Sequence, residues 1–528
     1  MQTQTRKGIA FYLFYLGIVL LVASLPLSKF TMSIAQFLIA GGWLLDGNIK
    51  EKFSKFFHSR LALIVASVYV LHLIGLLYTT DMQYAMKDIR IKLPILILPL
   101  LLSTGPPISR AQFQGIIFAL IGGVTVSTFI SWLIFTGIIN RPVNDIRDIC
   151  IFISHIRLAL LCCLAIFASG WLIVKNRKSV NARYYYLLII IIIWLIGFLV
   201  LLESLTGLII IAVTGLFLLG WLAFFQKNFF WKMVAVCFII AIPSIFYFYV
   251  KEVNQNFTIR HQLNMPLDTH TISGNVYTNY PDKLDYENGY PIWMYINETE
   301  LNEQWEKRSS LRFEEKDLRG QELKHTMIRF LTSKGLRKDS SGIWSLSTDE
   351  VRAIESGIAN VNYQGRGKIK TRIHQVLWEL HHYRKTGDPS GHSVSQRLEF
   401  WKAAVGIIKS NPVIGVGTGD GPDSFAKEYV EKNSKLSPEY RLRAHNQYLS
   451  FAVVFGITGL CWFLFTLAYP LILKMRKKDV LYVSFSIISI MSMLTEDTLE
   501  TQAGVTFFAL FTCIFLFVNP YNSATGVN

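Results

Sequence analysis

The chain has 528 residues, 52% of them hydrophobic, which is too apolar for a soluble protein of this size. Its formal charge of +16 would suit a nucleic-acid binder, but much of it lies in short loops between apolar runs. That placement sets membrane topology and argues against nucleic acid as a partner.

About twelve apolar runs follow one another, near 8–26, 30–45, 61–78, 91–103, 112–136, 156–174, 184–202, 207–225, 231–250, 449–473, 480–494 and 502–518. Roughly 20 apolar helical residues cross a hydrocarbon layer about 30 Å thick, so each run is read as a span, the second, fourth and eleventh being short. The first follows Arg6 and Lys7 as a signal peptide would. It lacks an A-x-A-like cleavage site and leads directly into further spans, so it reads as a retained helix. Alternate loops are basic: Lys50, Lys52, Lys55 and Arg60; Lys175, Arg177, Lys178 and Arg183; Lys227 and Lys232; Lys474, Arg476, Lys477 and Lys478. The positive-inside rule then places both termini in the cytoplasm. Nine spans precede the polar segment 251–448, which is therefore expected outside. The expected organisation is a bundle over 1–250, an external domain over 251–448 and a final set of helices over 449–528. Cys150, Cys162, Cys163, Cys237, Cys461 and Cys513 all avoid the polar segment, so no disulfide framework is expected there, and small apolar core residues are the simpler reading.

The polar segment reads as short helices with defined ends. In LSTDEV (346–351), Ser347 and Glu350 form a capping box, with Leu346 and Val351 as its hydrophobic staple. TMIRFLTSKG (326–335) predicts a helix stopped by Gly335. Val394, Leu398, Trp401, Val405 and Ile408 recur at three- and four-residue steps, predicting one apolar face on a helix ended by Asn411-Pro412. Such a helix suits the membrane surface or the mouth of the bundle.

Just before the tenth span, RLRAHNQYLSFAVVFG places Arg441, Arg443 and His445 where lipid head groups sit. No nucleoside triphosphate is available outside the cytoplasm, so group transfer there needs a substrate activated in the membrane. A lipid-linked sugar diphosphate is the obvious class. Guanidinium groups bind phosphate oxygens in bidentate fashion and keep their charge, and an imidazole with pKa near ~6.5 accepts a proton from a sugar hydroxyl at neutral pH. The competing reading makes the arginines membrane anchors and His445 a helix cap. Upstream, SNPVIGVGTGDGPDSF (410–425) suits a tight turn or an anion-binding backbone nest, but not a nucleotide P-loop, since no Gly-Lys-Ser/Thr follows. His374, His381 and His382 fall at i, i+7 and i+8, yet no spaced carboxylate accompanies them and a solvated helix face is the simpler reading. Glu496, Asp497 and Glu500 lie in the last external turn, suited to an acceptor sugar, a cation or plain turn structure. Arg157 opens a span, where an arginine is expensive and functional by default unless it reaches the surface.

Three stretches together resemble the O-antigen ligase family, which shares its fold and signature with O-antigen polymerases. They are QRLEFWKAAVGIIKSNPVIGVGTGDGPDSF, RAHNQYLSFAVVFGITGL and MLTEDTLETQAGVTFF, covering roughly 395–508. The segment GNVYTNYPDKLDYENGYPIWMYINETELNEQW resembles an insertion typical of Bacteroidetes members. The resemblance implies an all-α, polytopic, GT-C-like membrane protein of about twelve transmembrane helices, with one large, mainly helical periplasmic domain, in the bacterial inner membrane. It implies an inverting glycosyltransferase, needing neither metal nor other cofactor, that moves a glycan from undecaprenyl diphosphate to the lipid A–core. Its partners would be the undecaprenyl-diphosphate-linked glycan, the lipid A–core acceptor and the bilayer.

Carried over, Arg397, Arg441 and Arg443 would hold the diphosphate and His445 would deprotonate or orient the acceptor hydroxyl. Asn446, Asp420, Glu496 and Asp497 would serve the acceptor or the structure. The chain departs from the family at SLTG (204–207), where Leu205 stands in place of an expected arginine; Arg157 is the conjectured replacement. A polymerase or a protein O-glycan ligase would use the same site. A lipid-glycan transporter would instead carry more charge in mid-span and no large external domain.

Overall fold

The computed structural model describes residues 2–143, 145–176, 182–225, 227–261, 267–283, 285–364 and 369–521. Arg177 and Lys178 of the second basic loop lie outside the described residues, as does Leu284 within the insertion. Helices dominate. In chain order they are α1 (Gln2–Ser24), α2 (Lys29–Leu45), α3 (Ile49–His58), α4 (Arg60–Gly75), α5 (Met82–Lys92), α6 (Pro94–Thr104), α7 (Arg110–Phe135), α8 (His155–Lys175), α9 (Ala182–Leu201) and α10 (Leu205–Phe224). Next come α11 (Phe229–Thr258), the two-residue strands β1 (Tyr286–Glu287) and β2 (Tyr290–Pro291), α12 (Glu298–Trp305), α13 (Leu323–Ser333), α14 (Ser340–Trp344), α15 (Thr348–Glu355) and α16 (Ile369–Thr386). The chain ends through α17 (Ser393–Ser410), α18 (Gly421–Glu431), α19 (Gln447–Arg476), α20 (Val480–Ser492) and α21 (Gln502–Cys513).

Among the described residues, eight helices are long and apolar enough to cross a membrane: Thr5–Ser24, Arg60–Tyr78, Arg110–Phe135, His155–Lys175, Arg183–Leu201, Leu205–Phe224, Phe229–Gln255 and Gln447–Arg476. The chain is a multi-pass membrane protein. The other four expected spans correspond to α2, α6, α20 and α21, of 17, 11, 13 and 12 residues. At 1.5 Å per residue, α6 reaches only about 16 Å, and Pro94 opens it because proline is tolerated in a first turn.

The residues divide into two compact units. One comprises Met1–Asn140, Ile149–Ala235 and Glu379–Asn528; the other comprises Arg141–Asp148 and Val236–Trp378. In the second unit, Trp305, Phe313, Leu323, Phe330 and Ile354 are nearly inaccessible and share one core with Leu346 and Val351. Burying such a side chain stabilises by about 1.5–3 kcal/mol. Both reciprocal bonds of the Ser347–Glu350 capping box form, at 3.2 and 2.8 Å. Gly335 takes φ +70 just after α13. The Gly335 N–H donates to Thr332 O and the Leu336 N–H to Leu331 O, closing that helix end.

Two expectations within the first unit need correction. The buried face of α17 is formed by Phe400, Ala403, Ala404 and Ile407, while Val405 is 43% exposed. Three of these lie one residue before Trp401, Val405 and Ile408, a shift of about 100° around the helix. The two alanines sit in the core made with Phe425, Tyr429 and Val453, while Trp401 and Ile408 pack at its edge. Second, the tenth span is broken. Gly456 has φ +66 and ψ −169, so α19 is two helical segments meeting at a sharp bend.

Candidate functional site

The bend at Gly456 is made by the glycine loop before it. Gly415 and Gly417 take φ +71 and +97, which glycine adopts without strain. This brings Val416 N to Val453 O and Gly417 N to Val454 O at 2.9 Å, while Ile457 N returns to Pro412 O at 2.8 Å. The two backbones nearly touch: a Cβ on Gly415 would lie 2.4 Å from Val454 C, and one on Gly456 would lie 2.2 Å from Val413 O. The loop continues into the end of α4, where Thr418 Oγ1 donates to His72 O and Gly419 N to Thr79 Oγ1. Asp420 then accepts from Thr80 N and Asp81 N at 2.8 and 2.7 Å. The N–H groups of Val416, Gly417, Thr418 and Gly419 are therefore spent on protein acceptors. This part of the loop clamps helices together.

The clamp positions the short first segment of α19 and the residues that enter it. Asn446 is its N-cap, its Oδ1 accepting from Tyr448 N and Leu449 N, as this residue type does at helix starts. Before it, His445 holds φ +46, a left-handed conformation uncommon outside glycine. Asp497 accounts for that geometry. It is 5% exposed and its carboxylate accepts from His445 N and Asn446 N, both at 3.0 Å, and from Ser450 Oγ at 2.7 Å. Burial and the neighbouring Glu500 charge push the Asp497 carboxyl above its ordinary value, against Arg443, Ser450 and His445.

The side chain of His445 faces Glu496. Nδ1 lies 3.9 Å from Glu496 Oε2, an ion-pair approach longer than a hydrogen bond, and the ring lies 5.6 Å from Phe400. Arg397 reaches the other oxygen, Nη2 to Oε1, at 3.2 Å. Arg157, whose Nη1 donates to Ser154 Oγ at 3.3 Å, shares with Glu496 a narrow cleft whose walls include Leu25, Ile156, Leu160 and Phe507. Burial works to raise the Glu496 carboxyl, but the His445 ring and the charges of Arg397 and Arg157 outweigh it and hold the group below its ordinary range.

A second charged group lies on the other side of Asp497. Arg443 approaches Asp497 Oδ2 through Nε at 3.5 Å and Glu500 Oε2 through Nη1 at 3.2 Å. Glu500 also receives Lys92 Nζ at 3.0 Å, and Lys92, 1% exposed, pairs with Asp88 one helical turn earlier. Gln447 donates to Glu500 Oε1 and accepts from Leu499 N. Lys92, Arg443, Glu500, Tyr84 and His72 line one side of a small cavity whose other walls include Phe425, Phe451 and Phe455. Three cations, Arg397, Arg443 and Lys92, thus meet four carboxylates, Asp88, Glu496, Asp497 and Glu500. Arg397 and Arg443 are held in place by carboxylates, whereas Arg157 is bonded to Ser154.

Residues 345–464 match the family model described as O-antigen ligase, a stretch that contains Arg397, the glycine clamp, Arg443, His445 and Asn446. Over these residues the chain is similar to the O-antigen ligase family. No curated protein sequence matches the chain. The family is one of membrane glycosyltransferase-like ligases and polymerases acting on lipid-linked glycans. In this chain the carboxylates that organise the ligase-family residues, Glu496, Asp497 and Glu500, fall beyond the matched stretch.

The structure brings Arg397, Arg443, Arg157, His445, Asn446, Glu496 and Asp497 into one connected region. It leaves two expected residues apart. The Arg441 side chain turns back to Leu436 O, 3.1 Å from Nε, and Asp420 caps the turn after α4. His374 shares a hydrogen bond with Tyr363 at 2.9 Å and meets Phe257 edge-on at 5.2 Å, as a packed histidine does. Leu205 starts α10 behind the cap Ser204, whose hydroxyl accepts from Gly207 N. Sequence reasoning missed Asp88, Lys92 and Gln447. The signal was present in Asp88 and Lys92 at i and i+4 against an apolar run, a spacing that pairs opposite charges on one helix face.

Proposed function

We propose that this protein is an O-antigen ligase-type glycosyltransferase that moves a glycan from undecaprenyl diphosphate to a sugar of the lipid A–core, on the outer side of the inner membrane. The observation that carries the reading is coincidence: the family match falls on Arg397, Arg443 and His445, and those residues converge on one set of buried carboxylates.

In this scheme Arg397, Arg443 and Arg157 hold the diphosphate, and the apolar walls beside Arg157 take the first part of the lipid carrier. Glu496 keeps the imidazole of His445 and the guanidinium of Arg397 in register. The acceptor hydroxyl loses its proton to His445 as its oxygen bonds to the anomeric carbon. The bond from that carbon to phosphate breaks on the opposite side, and its electron pair leaves with the diphosphate. Configuration at the anomeric centre inverts. Fixed arginines stabilise the developing charge without a metal, and removal of one such donor typically costs ~10²–10³ in rate. The sidedness is supported by the basic loops, which the positive-inside rule places in the cytoplasm.

Lipopolysaccharide from a strain lacking the gene tests the assignment. The ligase reading expects bare core, with glycan accumulating on its lipid carrier. Single glycan repeats attached to the core would make the protein a polymerase, and intact lipopolysaccharide with lost glycoproteins would make it a protein glycan ligase.

A further inference from the structure

Helix α3 presents three different sides. Lys52 and Phe56 face the bundle, 4% and 6% exposed, and Lys52 bonds Asp46 at 2.9 Å and Trp43 O at 2.6 Å. Ile49, Phe53 and Phe57 are instead 44%, 41% and 63% exposed. Four-residue steps advance only about 40° around a helix, so these three side chains form one continuous strip beside the packed face. Lys50, Glu51, Ser54, Lys55 and His58 occupy the remaining arc, all exposed.

The surroundings identify what covers the strip. The helix joins apolar α2 to the candidate span Arg60–Tyr78, so it lies at the level where a span ends. Trp43, 4% exposed, anchors the edge of the strip to the bundle, its ring 6.1 Å from that of Phe53. From Asp46 to Arg60 the chain carries Lys50, Lys52, Lys55 and Arg60 against Asp46 and Glu51, four cations less two anions, a net charge of +2; Lys52 is taken up by Asp46, and Lys55 shares an exposed pair with Glu51 at 2.8 Å. A short helix with an apolar strip, an opposite polar arc and excess lysine is suited to lie in the plane of a lipid surface.

We propose that α3 is an anionic-lipid-binding surface, lying in the membrane interface with Ile49, Phe53 and Phe57 among the acyl chains and Lys50 and Lys55 against lipid phosphates. This rests on the multi-pass architecture and is independent of glycan transfer.

The test uses full-length protein with Cys150, Cys237 and Cys461 changed to serine, reconstituted in phosphatidylcholine vesicles with or without phosphatidylglycerol. Nitroxides are attached through Phe53→Cys, Phe57→Cys, Ser54→Cys or His58→Cys, and their collisions with oxygen and with a water-soluble nickel chelate are compared. Positions 53 and 57 should favour oxygen, and positions 54 and 58 should favour nickel. Separately, Lys50→Gln and Lys55→Gln, in protein without nitroxides, should each reduce the preference for spin-labelled phosphatidylglycerol over phosphatidylcholine about fivefold. Nickel-favouring collisions at 53 and 57, or shielding of both from either reagent by a protein partner, would overturn the proposal. So would a lipid preference unchanged in both lysine variants.

Discussion

At His445 the backbone sits at φ +46, a conformation that costs a non-glycine residue about 1–3 kcal/mol unless its surroundings impose it. Asp497 imposes it through two consecutive N–H groups and the Ser450 hydroxyl. Asp497 acts through His445 and also holds Arg443 at 3.5 Å. Asp497→Ala is expected to reduce kcat about 10²-fold, the order of loss that follows ~1 Å misplacement of a reacting group, with a smaller rise in KM and Asp497→Asn intermediate. Steady-state transfer assays decide this, and wild-type kcat in Asp497→Ala would remove the positioning role. Glu496 gives a pH signature. Its folded carboxyl lies below the ordinary 4.5, so its contribution to stability is present above that value and lost as pH falls through the folded one. Melting curves along the acid limb should show this loss in wild type and lack that part in Glu496→Gln; identical acid limbs would count against the Arg397–Glu496–His445 arrangement. Lys92 is buried between two carboxylates. Lys92→Met leaves Asp88 without its cation and Glu500 with Arg443 alone, a defect that typically costs about 3–5 kcal/mol and is readable by denaturation in detergent.

Among the elements, the bend in α19 depends on glycine at two contacting positions. Gly456→Ala combines a positive φ with a Cβ only 2.2 Å from Val413 O, so a loss of about 2 kcal/mol or more is expected. Thermal unfolding measures it, and an unshifted melting temperature would mean that the clamp yields easily. The same bend shows where sequence reading stops. The capping box at Ser347 and the helix stop at Gly335 are legible because each is set by residues within a few positions. Gly456 lies in an apolar run that reads as a continuous span, and only pairing with Pro412 and Val413 breaks it. On α17, counting bulky apolar residues selects Trp401 and Val405, whereas packing selects Ala403 and Ala404, whose small side chains fit the core with Phe425 and Tyr429.

Over the whole molecule, His445, Arg397 and Arg443 stand out in the sequence because cations and an imidazole at a span mouth need a reason. Their partners do not stand out. Lys92 meets Glu500 across 408 positions, and nothing local to Glu500 announces a lysine so distant. Membrane architecture was legible from apolar runs, and so was the shortness of those that form α2, α6 and α20, while the end of α21 at Cys513 required the fold. Sidedness carries its own prediction: a cysteine at Ser434 should react with a membrane-impermeant thiol reagent from outside intact inner-membrane spheroplasts, and one at Lys478 should not. The reverse pattern would place the Arg–His region where no outward-facing glycan acceptor could reach it. The claim at the centre is that His445 and the carboxylate-held arginines perform glycan transfer. Purified wild-type protein and His445→Ala, each reconstituted with undecaprenyl-diphosphate-linked glycan and lipid A–core, test it most directly. Glycan-bearing core should form with wild type and be lost with a folded, membrane-inserted His445→Ala; transfer at the wild-type rate by that variant would contradict the account.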